Sequence, residues 1–386
     1  MSTFSITTKV FFGTSAVTEF CSFMRSRNLS RVVLIVDKNI TKNPHIDHLV
    51  SNLKNNGFSI ALIKDVYLDG EPTYSSLDSF TEDFRQLNMD ALIAIGGGSV
   101  LDLVKGAGVL LKNPGKGIDY RGMDKVENAG VPVICFPATA GTGSEVTHTA
   151  SFVDTVSMTK LGINGRFVAP LCGVLVPELT FSCPQSVTVY SGLDAMLHAV
   201  EAVTSKTANT ITKKIGCEAF ALMYNNFLKV IKFPDDYTAR EEMLLGSYLA
   251  AIAMMNAGGG PSGGISYPLG VHFKVPHGIA GGIFLPYVFE HNIRNGCDGY
   301  LDIYNLFYDA DHSLDDKNKL HDFVKKIQML YREIDAPEKL TCFGVSKTDI
   351  DFLVEQITTQ MKGNLERNPV DFGKDDVRSI LEKVLV

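Results

Sequence analysis

The sequence carries no excess of positive charge. Its 36 Lys+Arg stand against 43 Asp+Glu, a net charge of −7 over 386 residues. A mildly acidic chain has no general attraction for phosphate backbones or anionic membrane surfaces. No charge run is long enough to form a basic tail. Nucleic acid and membrane are therefore not expected partners. A run of about 18 apolar residues, the length that spans a bilayer, is also missing. The nearest approach, residues 278–289, is shorter and is broken by Pro286. The start, MSTFSITTKVFFG, lacks a basic segment followed by an apolar one, so no signal peptide is expected. Cysteines occur at 21, 135, 172, 183, 217, 297 and 342, with no CxxC. An odd, scattered set argues against a disulfide framework and a cysteine zinc site, and fits a reducing cytoplasm.

What is present is an ordinary globular composition, 45% hydrophobic and 20% charged. At about 150 residues per domain, the length implies two or three domains. The first half alternates short β-branched runs with amphipathic stretches. Strands are expected at Arg31–Asp37, Phe58–Lys64, Ala91–Ile95, Val131–Phe136 and Cys172–Val176. Helical segments are expected near 44–56, 75–88 and 99–111. This alternation implies a parallel sheet with helices on both faces, and near-continuous apolar strands fit burial on both sides. From about Pro184 the apolar residues recur at helical spacing, as in Tyr190, Leu193, Leu197 and Val200. An α/β domain over 1–183 and an all-α domain over 184–386 are expected, with a Gly-rich break at Gly258–Gly264.

Five motifs carry chemistry. Gly96, Gly97, Gly98 and Ser99 follow a strand and open a helix, where backbone N–H groups and the positive dipole end suit a diphosphate. Asp102 and Lys105 lie a turn further on. The Rossmann GxGxxG is absent. The segment 137–145, PATAGTGSE, follows the next strand and suits a nucleotide crevice; a polar loop is the alternative reading. Asp37 ends a strand, where an acid can bind ribose hydroxyls or cap a turn. Asp194 and His198 are four apart on an expected helix and share one face, fit for one divalent metal or for a simple hydrogen bond. His277, between Pro276 and Gly278, is fixed in direction on a loop or helix start.

Together these motifs resemble the iron-dependent (group III) alcohol dehydrogenase family. The likeness includes GGGSVLDLVK at 96–105, PATAGTGSEVT at 137–147 and SGLDAMLHAVEA at 191–202. It continues through YPLGVHFKVPHG at 267–278 to NPVDFGKDDV at 368–377. The resemblance implies a dehydroquinate synthase-like architecture, an α/β dinucleotide-binding domain followed by a helical metal domain, with the active site between them. It implies diphosphate binding by Gly96, Gly97, Gly98 and Ser99, with Asp102, Thr139, Thr142 and Lys160 at the cofactor site. Asp37 falls where an acid favours NAD over NADP. Asp194, His198 and His277 fall on three of the family's four metal ligands, for iron or zinc. A dimer or larger homo-oligomer is implied as well.

The sequence departs from the family at the fourth ligand. Two histidines four apart usually precede the PLG segment; here Gly263 and Tyr267 stand there. His272, nine residues beyond Gly263, would face the opposite side of a continuing helix. Three protein ligands still suffice for a catalytic metal. Glu71 and Gly281 replace asparagines of many relatives. The expected activity is oxidation of an alcohol to a carbonyl, with Asp194 and His198 at the metal and Tyr267 as proton relay or hydrogen-bond donor. Gly in place of His at 263 frees volume and suits a polyhydroxy substrate, a sugar or sugar acid. A relative acting with oxygen at C8 of 3-deoxy-manno-octulosonate, in lipopolysaccharide sugar synthesis, is a variant of this reading. A non-catalytic dinucleotide binder is the reading from another class.

Overall fold

The computed structural model describes residues 3–385. The chain divides into two compact units. One comprises residues 6–139 and 143–184; the other comprises residues 185–385 with the short pieces 3–5 and 140–142.

The first unit is built on a six-stranded parallel sheet. Its order is Lys9–Phe11, Cys172–Val174, Val133–Pro137, Ala91–Gly96, Arg31–Asp37 and Ser59–Val66. Alternating strand residues feed two cores, as the period of two demands. Val33, Ile35, Leu92, Ala94, Val133 and Cys135 join one core with helices Tyr74–Glu82 and Gly98–Leu110. Val32, Leu34, Val36, Ile93, Ile95, Ile134 and Phe136 join the other with helices Ala16–Ser26 and Pro44–Asn55. Burial on both faces explains why the inner strands Arg31–Asp37, Ala91–Gly96 and Val133–Pro137 read as apolar runs, whereas the edge strand Ser59–Val66 is largely exposed.

Arg31–Asp37 lies between Ser59–Val66 and Ala91–Gly96, so the chain leaves it first to one side and then to the other. Ligands of open α/β sheets bind at such a switch point, beyond the carboxyl ends of the strands. Asp37 and Gly96 end the two strands that flank it.

Three details differ from the sequence reading. Lys9–Phe11 is a sixth strand, only three residues long, too short for any periodicity to show. The helix expected near 75–88 ends at Glu82, because the chain turns at Asp83 and packs Phe84 against Phe80 with ring centroids 4.8 Å apart. Residues 122–164 contain two-residue strands, in a three-stranded sheet of Gly122–Met123, Thr149–Ala150 and Ile163–Asn164 and a hairpin of Val153–Asp154 with Thr159–Lys160.

The second unit is helical. Gln185–Thr204 runs through its core and is buried from Gly192 to Val203. Thr210–Lys232 and Tyr237–Ala257 pack with it. The Gly-rich break is shorter than expected. Gly258, at φ +74°, ends Tyr237–Ala257, and the next helix already begins at Pro261 and runs to Phe273. Proline is tolerated there because the first helical N–H has no partner within the helix. Gly263 and Gly264 are therefore helical residues. Among the described residues no single helix is long and apolar enough to cross a membrane.

Candidate active site

The glycine turn after Ala91–Gly96 is forced by crowding. A Cβ on Gly96 would lie 2.9 Å from Asp37 Cβ and 3.0 Å from Val100 Cβ. Gly97 precedes helix Gly98–Leu110 and supplies no capping side chain, so the first helical N–H groups stay available to an anion. Thr139 borders the same turn: a Cβ on Gly97 would be 3.6 Å from Thr139 Cγ2. Asp37 accepts a hydrogen bond from Asn39 N at 2.9 Å and so caps the turn that follows its strand.

Two of the expected cofactor residues are engaged inside the fold. Asp102 accepts from Ser144 Oγ and, at 2.9 Å, from Ser151 N. Lys105, 1% exposed, donates to Ser144 O at 2.9 Å, Ser144 Oγ at 2.8 Å and Thr147 Oγ1 at 3.2 Å, and pairs with Asp102 at 3.2 Å. This latch ties the first glycine turn to the PATAGTGSE loop. Glu145, next in that loop, is fully buried, and burial pushes its carboxyl up to about 7 despite the nearby Lys105 charge. Lys160 pairs with Glu71 at 2.6 Å. Thr142 belongs to residues 140–142, grouped with the helical unit.

In the helical unit, Asp194, His198 and His277 come together. Their ligand atoms all lie within 4.8 Å of one another. Asp194 and His198 are buried on Gln185–Thr204, one turn apart. His277 opens the short helix His277–Gly282. Glycines let this second helix approach. A Cβ on Gly278 would sit 2.0 Å from Tyr190 O, one on Gly281 2.5 Å from Leu197 Cδ1, and one on Gly282 2.9 Å from Leu193 Cβ. Bare backbone at these three positions sets His277 against Asp194.

The donor set fits a cation. Asp194 Oδ1 lies 3.6 Å from His198 Nε2 and 3.8 Å from His277 Nε2, too far for hydrogen bonds. Two ligands each about 2.1 Å from one ion at a tetrahedral angle are about 3.4 Å apart. Asp194 Oδ1 is buried and has no hydrogen-bond partner, a costly arrangement for a carboxylate without a cation.

Helix Pro261–Phe273 lies beside this centre and brings no imidazole to it. A Cβ on Gly263 would meet Glu201 Oε2 at 3.1 Å and Leu197 Cδ2 at 3.5 Å. Glu201 accepts from Gly260 N at 2.6 Å, Ser262 N at 2.7 Å and Gly263 N at 3.3 Å, capping that helix from a neighbouring one. Burial pushes Glu201 up to about 7 even so. The ring of Tyr267 meets that of His277 edge to face, with centroids 5.5 Å apart. His272 packs against Phe352, centroids 4.9 Å apart, outside the cluster, as the half-turn offset requires.

Residues 7–177 match the family described as iron-containing alcohol dehydrogenase, and residues 188–385 match the C-terminal part of the Fe-containing alcohol dehydrogenase family. The chain belongs to the iron-containing alcohol dehydrogenase family. It is an alcohol dehydrogenase-like oxidoreductase. Long-chain-alcohol dehydrogenase 1 of Geobacillus thermodenitrificans is 30% identical over 96% of this chain and 93% of its own. The NAD-dependent methanol dehydrogenase of Bacillus methanolicus is 27% identical over the full length of both. Among solved structures, a 1,3-propanediol oxidoreductase superposes with a TM-score of 0.92 at 27% identity, covering 100% of each chain.

Two features of this family member were not visible in its sequence. One is the Lys105 latch, since a lysine in a helix reads as a solvated residue. The other is Ser266, whose Oγ lies 3.1 Å from His277 Nδ1, a residue of the next helix. The small residues at 278, 281 and 282 were the available signal for close helix approach.

Proposed function

We propose that this protein interconverts a small alcohol and its carbonyl compound, with NAD held at the glycine turn and one divalent metal, iron or zinc, held by Asp194, His198 and His277. The observation that carries the reading is the buried, unpartnered Asp194 Oδ1 set between two imidazole nitrogens. Held by these three side chains, a divalent metal would supply Lewis acidity towards an alcohol oxygen, and a bound nicotinamide would supply the hydride acceptor. The chain's own residues do the rest. Asp194 and His198 supply a rigid ligand pair from one helix face. Gly96, Gly97, Gly98 and Ser99 supply backbone donors for the diphosphate, with Thr139 beside them. Asp37, at the sheet's switch point, favours unphosphorylated ribose. Tyr267, whose ring borders His277, would hydrogen-bond the substrate oxygen through Oη and hold a proton there.

Vacated volume at position 263 gives little support to a polyhydroxy substrate. A Cβ at position 263 would already touch Glu201 and Leu197, so the space next to the backbone there is partly filled. The relatives named for methanol and 1,3-propanediol favour a small alcohol or diol; the one named for long-chain alcohol would extend the same chemistry to longer chains. The buried, free cysteines suit a reducing compartment.

Two measurements test this reading on protein purified without chelator: metal per subunit, and NAD reduction with a panel of short alcohols, diols, polyols and sugar acids. We expect about one metal per subunit and turnover of short alcohols or diols. Turnover confined to polyols or sugar acids would restore the larger substrate. Absence of metal, with none taken up on soaking, would leave a dinucleotide-binding protein.

A further inference from the structure

Helix Pro261–Phe273 contributes no ligand to the metal centre, yet two of its consecutive side chains hold His277. Ser266 is 1% exposed. Its hydroxyl donates to Gly263 O at 2.6 Å, and its oxygen lies 3.1 Å from His277 Nδ1. A hydroxyl has one proton to give. Here it is spent on the shorter contact, to the helix carbonyl one turn back. Towards His277 the oxygen therefore presents a lone pair, and the ring must donate from Nδ1.

We propose that Ser266 is a positioning residue that fixes the tautomer of His277, so that Nε2 turns a lone pair towards Asp194. This inference rests on the reading that Asp194, His198 and His277 hold a divalent metal. With the proton on Nδ1, Nε2 is ready to ligate. In the other tautomer an Nε2–H would point at Asp194 Oδ1, 3.8 Å away, and occupy the space of the cation. Tyr267, against the ring edge to face, limits its rotation. Position 263 thus serves the centre through its backbone: the carbonyl of Gly263 orients Ser266, and Ser266 orients His277. A helix without a ligand side chain still shapes the ligand set.

The test begins with the unaltered protein, stripped of metal, at about pH 8.5, where an ordinary imidazole is neutral. Nitrogen-15 shifts of labelled histidines, with His277 assigned from the signal lost in His277→Asn, report which ring nitrogen carries the proton. We expect Nδ1–H in the unaltered protein and a mixture with Nε2–H in Ser266→Ala. Zn2+ titration should show affinity lowered about 10- to 100-fold in Ser266→Ala, the usual cost of losing such an outer partner. Nε2–H in the unaltered protein, or the same tautomer and Zn2+ affinity in Ser266→Ala, would overturn the proposal. If the unaltered protein bound no Zn2+, the metal reading would fall, while the tautomer signal would still decide the role of Ser266.

Discussion

Tyr267 stands beside the metal-binding group in two capacities. Its ring packs on His277, and its hydroxyl is proposed to handle the substrate proton. Tyr267→Phe separates them, because it keeps the ring and removes the oxygen. Metal content and Zn2+ affinity should stay within about twofold, while kcat falls about 10²- to 10⁴-fold, the usual contribution of a positioned acid–base group. Steady-state kinetics beside elemental analysis reads both. Equal loss of metal and turnover would place the hydroxyl among the groups that hold the centre. At this scale the sequence was legible where chemistry is carried by residue type. Asp194 and His198 declare a shared face by spacing alone. Asp102 and Lys160 illustrate the limit, because an acid or a lysine in sequence does not reveal that Ser144, Ser151 or Glu71 already engages it.

The helices that build the centre are brought together by what is missing from them. Gly278, Gly281 and Gly282 leave backbone bare where His277–Gly282 crosses Gln185–Thr204. Gly278→Ala places a methyl 2.0 Å from Tyr190 O, a backbone atom that cannot swing aside. Ala normally improves a helix by up to about 1 kcal/mol over Gly. Here the short helix must shift instead. We expect a lower thermal midpoint and at least tenfold weaker Zn2+ binding, since a displaced His277 no longer faces Asp194; unchanged Zn2+ affinity would contradict this account. The elements themselves follow from patterning wherever a run is long. Arg31–Asp37 and Ala91–Gly96 are mostly apolar stretches, and Gln185–Thr204 carries Tyr190, Leu193, Leu197 and Val200 at helical spacing within a helix buried from Gly192 to Val203. Lys9–Phe11 and the two-residue strands between 122 and 164 fall below the length at which any period exists. Their pairing is decided by tertiary contacts.

For the molecule as a whole, the buried carboxyl of Glu145 gives stability a pH dependence. Burial raises it from an ordinary 4.5 to about 7, so the folded chain binds this proton more tightly than the unfolded chain. Its stabilising contribution is complete below about 4.5 and is lost as pH rises through about 7. Across that window it tilts stability downward by at most ~1.4 kcal/mol per pH unit. Glu145→Gln has no proton to lose. Thermal midpoints from pH 5 to 8 should therefore fall less steeply for the variant than for the parent. Parallel curves would mean that Lys105 offsets the burial of the carboxylate in full.

The latch around Lys105 has a consequence for how a nucleotide is drawn in. Lys105 answers to Asp102 in the interior, and Lys160 to Glu71, so each of these cations is already neutralised by an acid of the fold. A diphosphate arriving at the glycine turn would meet uncharged amide dipoles at short range. Binding of that kind owes little to long-range attraction and is poorly screened by mobile ions. The dissociation constant for NAD should therefore change by less than about threefold when sodium chloride is raised about tenfold, and the association rate should be equally indifferent to ionic strength.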